Sequence, residues 1–76
     1  METIYTILSE LRPEFDFKTS TDFIADGYLD SFDIVSLVAE LEDRFDCLID
    51  ALDILPENFN TAESIAEIVQ KNGGKM

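Results

Sequence analysis

The chain of 76 residues is long enough for one small domain, and its 17 acidic and five basic residues give a formal net charge of −12. This charge repels phosphate groups, so nucleic acids and anionic membrane surfaces are not expected partners. Basic patches on other proteins are the surfaces that such a chain would attract.

The single cysteine, Cys47, excludes an internal disulfide and a metal site built from cysteines. No apolar run approaches the roughly 20 residues that span a bilayer, and the first residues lack the basic start of a signal peptide. We therefore expect a soluble, cytoplasmic monomer that does not insert directly into membranes.

The first predicted element is a helix over Glu2–Leu11, and Pro13 ends it because the residue before a proline disfavours the helical conformation. Its apolar residues recur at helical spacing: Ile4, Ile7, Leu8 and Leu11. The connection that follows, residues 12–29, is long for so small a domain, and such loops often serve a function. Its apolar side chains should pin it across the core: Phe15, Phe17, Phe23 and Ile24.

The second predicted helix, Ser31–Phe45, has Asp30 as its N-cap and Asp33 as a favourable charge in its first turn. One apolar stripe suits a core-facing side: Ile34, Leu37, Val38, Leu41 and Phe45. A second stripe, about 100° to 160° around the helix, consists of Phe32, Val35 and Ala39 and is edged by Glu42, Asp43 and Asp46. An apolar strip edged with acids suits a docking surface. Alternatively, Phe32 packs beneath the long loop and the acids form an ordinary solvated face.

Two more helices are predicted in the last part of the chain. A short one over residues 55–59 begins near Pro56, and a longer one begins after Asn60, which could form a capping box with Glu63. The apolar side of the longer helix is Ala62, Ile65, Ala66, Ile68 and Val69. Gly73 and Gly74 should end it, with residues 73–76 frayed. The sequence thus predicts one all-α domain over residues 1–76, ordered over about 2–72. Its fold would be a bundle of three longer helices and one short helix, with a long loop between the first two.

Ser31 is the candidate functional residue, and three chemical roles are open to it. A hydrolase nucleophile needs a base and an oxyanion hole, but the chain has no histidine, and Tyr28-Leu29-Asp30-Ser31-Phe32 lacks the glycines of a nucleophile elbow. The hydroxyl could instead cap backbone N–H groups, or it could hold an anionic group, which a helix N-terminus favours. We therefore predict no enzyme activity, no catalytic residue and no metal site for this chain.

The residues around Ser31 resemble those of the acyl carrier and peptidyl carrier proteins, and the resemblance covers most of the chain. The recognition helix of that family is similar to Leu29-Asp30-Ser31-Phe32-Asp33 with Leu37, Val38, Leu41, Glu42 and Phe45-Asp46. Its third and fourth helices are similar to Pro56-Glu57-Asn58-Phe59 and Ala62-Glu63-Ser64-Ile65. The family motif is Asp-Ser-Leu, whereas Phe32 stands third here. Carriers of D-alanine for teichoic acid modification often resemble this chain in having Asp-Ser-Phe.

The resemblance implies a 4′-phosphopantetheine arm covalently attached to Ser31, beside the motif residue Asp30. A magnesium-dependent phosphopantetheinyl transferase would install it from coenzyme A. The arm's thiol, and not Cys47, would then carry acyl or aminoacyl groups as thioesters. The chain would be a freestanding carrier whose cargo is fatty acyl, polyketide, aminoacyl or D-alanyl.

The implied partners are the transferase and an adenylating ligase or acyl synthase or transferase with basic docking patches. The predicted partner-binding residues are Phe32, Val35, Ala39, Glu42 and Asp43. We expect lysine substitutions of Glu42 and Asp43 to slow loading with little loss of fold. The alternative function is an acidic helical interaction module whose serine is never modified.

Overall fold

The computed structural model describes residues 2–74 and contains three α-helices: α1 (Glu2–Leu11), α2 (Ser31–Phe45) and α3 (Ala62–Lys71). No β-strand occurs in the described part of the chain. The all-α prediction is therefore confirmed, and the observed bounds of α1 and α2 are the predicted ones. No helix within residues 2–74 is long and apolar enough to cross a membrane.

The three helices bury their apolar stripes against one another and form one hydrophobic core. Its helical members include Ile4, Ile7 and Leu8 from α1, Ile34, Leu37, Val38 and Leu41 from α2, and Ala62, Ile65, Ala66, Ile68 and Val69 from α3. Phe45, at the end of the predicted core stripe of α2, is half-buried against this core. Because the buried residues of α2 all lie on its core-facing side, the opposite side of the helix is available for other contacts.

The long loop between α1 and α2 lies against the core through its aromatic residues. Phe17 and Phe23 are buried and meet edge to face, with ring centroids 5.1 Å apart. Phe15 stacks on Tyr28 at 4.3 Å, and the Phe23 N–H donates to the carbonyl oxygen of Asn60 at 2.7 Å. Aromatic packing thus fixes the segment that leads into the start of α2.

The short helix predicted over residues 55–59 is only a single 3₁₀ turn, Pro56–Asn58, and a second such turn, Ala51–Asp53, precedes it. Leu55 provides no side-chain cap for the Pro56–Asn58 turn. The Asn58 side chain instead donates to the carbonyl oxygen of Asp53 at 2.8 Å, which ties the two turns together. A proline start without a side-chain cap gives no α-helix here because the chain must return at once to the buried Phe59.

The predicted capping box of Asn60 and Glu63 at the start of α3 is wrong by one residue. Thr61 is the N-cap, and its side-chain oxygen accepts a hydrogen bond from the backbone N–H of Ser64 at 3.1 Å. The carbonyl of Asn60 is already bound by the N–H of Phe23, which holds Asn60 to the long loop. Glu63 is exposed in the first turn, where its charge favours the helix dipole.

α3 ends in a Schellman motif formed by Gly73 and Gly74, the two residues predicted to end it. Gly73 has a φ of +89°, its N–H donates to the carbonyl oxygen of Gln70 at 3.1 Å, and the Gly74 N–H donates to that of Val69 at 2.8 Å. Glycine suits this position because a side chain is strained at positive φ. The rest of the tail that was predicted to fray, residues 75 and 76, lies outside the described residues.

Candidate functional site

Asp30 caps α2 through a reciprocal pair of hydrogen bonds, as its predicted N-cap role requires. Its Oδ1 accepts from the N–H of Asp33 at 3.0 Å, and Oδ2 of Asp33 accepts from the N–H of Asp30 at 3.1 Å. The pKa of Asp30 lies below its ordinary value, chiefly because the Asp33 N–H binds its carboxylate, with further contributions from the Phe32 N–H and Arg12. These two hydrogen bonds therefore fix the first turn of α2, which begins at Ser31.

Ser31 is the first residue of α2, and its side chain is exposed. Because Asp30 is the cap, the capping role considered for the Ser31 hydroxyl is wrong. That hydroxyl makes no hydrogen bond to any group within residues 2–74. An exposed, unengaged hydroxyl at a helix N-terminus fits a covalently attached anionic group, because the first N–H groups of the helix favour negative charge.

The chain contains no histidine that could act as a base towards Ser31. In the described part of the chain, no group of three or more acidic or cysteine side chains is arranged to hold a metal ion.

The second stripe of α2 faces solvent. The side chains of Phe32 and Val35 are 85% and 67% exposed, and Ala39 is also exposed. The alternative in which Phe32 packs beneath the long loop is therefore wrong. The aromatic residues of that loop, Phe15, Phe17 and Tyr28, pack against one another instead. The structure brings these apolar residues together on the helix that begins at Ser31.

The two acids predicted to bind partners have different surroundings. Asp43 is exposed and joins no ion pair within residues 2–74. Glu42 is half-buried, and its Oε2 accepts a hydrogen bond from the backbone N–H of Ile49 at 2.9 Å. Glu42 thus holds the segment after α2. Its replacement would remove this hydrogen bond, so we expect a loss of stability rather than an almost unchanged fold.

Beyond α2, a groove is lined by Glu42, Asp43, Asp46, Cys47, Leu48 and Asn72. Cys47 is half-buried there, and its pKa is raised by burial first and then by the charges of Glu42 and Asp46. A thiol with a raised pKa is a poor nucleophile at neutral pH. Leu48 is strongly exposed, a feature that the helical pattern of α2 could not show because Leu48 follows the helix.

One residue at the site was not anticipated from the sequence. Arg12, the residue after α1, places its guanidinium group against the carboxylate of Asp33, with Nη2 2.9 Å from Oδ2. Nη2 also lies 3.8 Å from Oδ2 of Asp30. Arg12 and Asp33 are 21 positions apart, so no local pattern relates them. The scarcity of basic residues, five against 17 acidic ones, is the signal that could have suggested an ion pair, but it does not identify Asp33 as the partner.

Comparisons with known proteins identify the family of the chain. The family model described as the phosphopantetheine attachment site matches residues 2–69. A comparison with curated proteins found no match. Members of the matched family bear 4′-phosphopantetheine, covalently attached to a serine, and carrier domains generally interact with phosphopantetheinyl transferases and with synthases or ligases. Since the match spans most of the chain, this protein belongs to the phosphopantetheine-binding family of acyl and peptidyl carrier proteins.

Proposed function

We propose that Ser31 bears the 4′-phosphopantetheine arm and that the protein shuttles acyl or aminoacyl groups as thioesters between partner enzymes. The observation that carries this proposal is the exposed Ser31 hydroxyl, which is free of hydrogen bonds to residues 2–74 at the start of a well-capped helix. Its neighbour Asp30 takes over the capping, so modification of Ser31 removes no hydrogen bond from the fold. The absence of histidine supports a non-catalytic carrier.

In this proposal the residues of α2 have separate tasks. Asp30 and Asp33 fix the helix start, so that Ser31 is presented in one orientation. The arm, when attached, supplies the thiol that holds the cargo. Phe32 and Val35 offer apolar area next to the attachment point, and tethering gives each docked partner a high effective concentration of cargo.

The partners that fit this surface are a phosphopantetheinyl transferase and an adenylating ligase or acyl synthase or transferase with basic patches. Each of the four basic residues within 2–74 is already paired with an acid: Arg12, Lys18, Arg44 and Lys71. Exposed acids such as Asp43 are left to attract a basic partner, which would speed association and make it sensitive to salt. Phe32 in the third motif position favours D-alanine as the cargo, by resemblance to D-alanyl carriers.

The proposal is tested by intact-mass measurement after incubation with coenzyme A, magnesium and a broad-specificity phosphopantetheinyl transferase. We expect wild type to gain one phosphopantetheinyl group and Ser31→Ala to gain none. Ser36→Ala is the matched control, because Ser36 is another exposed serine of α2 and should leave loading intact. If several transferases add nothing to wild type, the chain is instead an unmodified acidic interaction module.

A further inference from the structure

Arg12 connects the end of α1 to the start of α2. Its Nε and Nη2 atoms lie 3.0 and 2.9 Å from the same oxygen, Oδ2 of Asp33. The Nη2 atom is also 3.8 Å from Oδ2 of Asp30. One guanidinium group therefore contacts both carboxylates of the box that caps α2, on either side of Ser31.

The oxygen that Arg12 binds also makes the cap. Oδ2 of Asp33 accepts the backbone N–H of Asp30 at 3.1 Å, so its orientation decides whether the reciprocal bond forms. The Asp33 side chain is only 13% exposed. Without a cation, a carboxylate so poorly solvated would turn towards water and give up that bond.

The backbone of Arg12 is itself fixed, so its side chain acts from a defined position. The Arg12 N–H donates to the carbonyl oxygen of Leu8 at 2.9 Å, and Leu8 is fully buried in the core. Pro13 then turns the chain out of the helix. A continuous series of contacts thus runs from the core through Arg12 and Asp33 to the residue before Ser31.

We propose that Arg12 is a positioning residue for the modification of Ser31, acting through Asp33 and Asp30, and this inference rests on the proposed function. Arg12 orients the cap that fixes the Ser31 hydroxyl. Its positive charge also offsets the negative charges of the two carboxylates beside Ser31, where an anionic phosphopantetheine donor must approach. A lysine would keep the charge, but its single ammonium group cannot reproduce the two-nitrogen contact with Asp33.

The test compares Arg12→Gln and Arg12→Lys with the control Arg44→Gln. Arg44 also joins α2 to α1, through a contact of 2.8 Å with Glu10, but it lies in the last turn of α2, away from Ser31. Both glutamine variants change the net charge by the same amount and remove one link between the helices. Loading is measured as kcat/KM of a phosphopantetheinyl transferase, thermal unfolding reports the fold, and amide hydrogen exchange reports the cap.

We expect Arg12→Gln to lose about tenfold in loading kcat/KM relative to Arg44→Gln, below the ~100-fold that a 1 Å misplacement can cost. The Asp30 and Asp33 amides should exchange faster in Arg12→Gln alone, at a melting temperature similar to that of the control. Arg12→Lys should recover part of the loading.

Equal loading by the two glutamine variants, with unchanged exchange at Asp30 and Asp33, would overturn the inference. A loading loss that merely follows the fraction of unfolded protein would overturn it as well, because Arg12 would then be only structural. Wild type that accepts no phosphopantetheine would contradict the proposed function and this inference together. That case is distinguishable because the failure appears before any variant is compared.

Discussion

Phe32→Ala should separate docking from folding, because Phe32 is exposed although it is a large aromatic residue. Its side chain is 85% exposed, so at most about a sixth of its surface is removed from water on folding. Complete burial of such a side chain contributes about 1.5–3 kcal/mol, which leaves roughly 0.2–0.5 kcal/mol for Phe32. We therefore expect the free energy of unfolding to change by no more than about 0.5 kcal/mol.

The effect of Phe32→Ala on a partner should be larger. Aromatic side chains at the centre of an interface cost more than about 1 kcal/mol when truncated, and about 1.4 kcal/mol corresponds to a tenfold change in affinity. Because Phe32 is adjacent to Ser31 in the sequence, a transferase that reaches Ser31 should contact it. The expected result is a loading kcat/KM about tenfold below wild type.

The assay combines urea unfolding with transferase kinetics, and Phe59→Ala is the control for a core aromatic. Phe59 is fully buried, so its replacement should cost about 3–5 kcal/mol of stability. A loss of more than about 2 kcal/mol in Phe32→Ala would show that its ring is packed in solution. Unchanged loading by a stable Phe32→Ala variant would refute its place in the docking surface.

Three further predictions concern the stability of the fold. Thr61→Ala should lower the free energy of unfolding by about 1 kcal/mol in urea unfolding, and Asn60→Ala should lower it by less, because Thr61 caps α3. The reverse order would indicate that Asn60 is the cap. Glu42→Ala should destabilise by about 0.5–1.5 kcal/mol through its lost loop hydrogen bond, whereas Asp43→Ala should slow loading without that loss. Equal stability of these two variants would contradict the role of Glu42. The pKa of Asp53 is lowered, chiefly by a hydrogen bond from a lysine of α3. The stability difference between wild type and Asp53→Asn should therefore be complete at about pH 7 and shrink as the pH falls below about 4; a difference that is independent of pH would exclude ionised Asp53 as its source.

Local patterns predicted the elements whose signals agree with one another. α1 has regular apolar spacing and a proline after its end, and α2 has a capping aspartate before its core stripe. At α3, both Asn60 and Thr61 are suitable caps. The choice depends on the N–H of Phe23, 37 positions earlier, which binds the Asn60 carbonyl. Such a long-range contact leaves no trace in the local pattern.

The candidate site was predictable in residue type but not in its contacts. The motif singled out Ser31, and the helical period separated Phe32 from the core stripe. That period could not decide whether Phe32 lay under the loop or in solvent, because loop packing depends on aromatic contacts far along the chain. The hydrogen bond of Glu42 to the following loop and the ion pair of Arg12 with Asp33 could not be predicted for the same reason, because local patterns do not show contacts between separate parts of the chain.

The most direct test of the central claim is to locate the added group on the loaded chain by fragmentation mass spectrometry. The account predicts that every fragment ion containing Ser31 carries one phosphopantetheinyl group and that fragments without Ser31 carry none. A group located on any other residue, such as Ser36 or Cys47, would contradict the assignment of Ser31 as the attachment point.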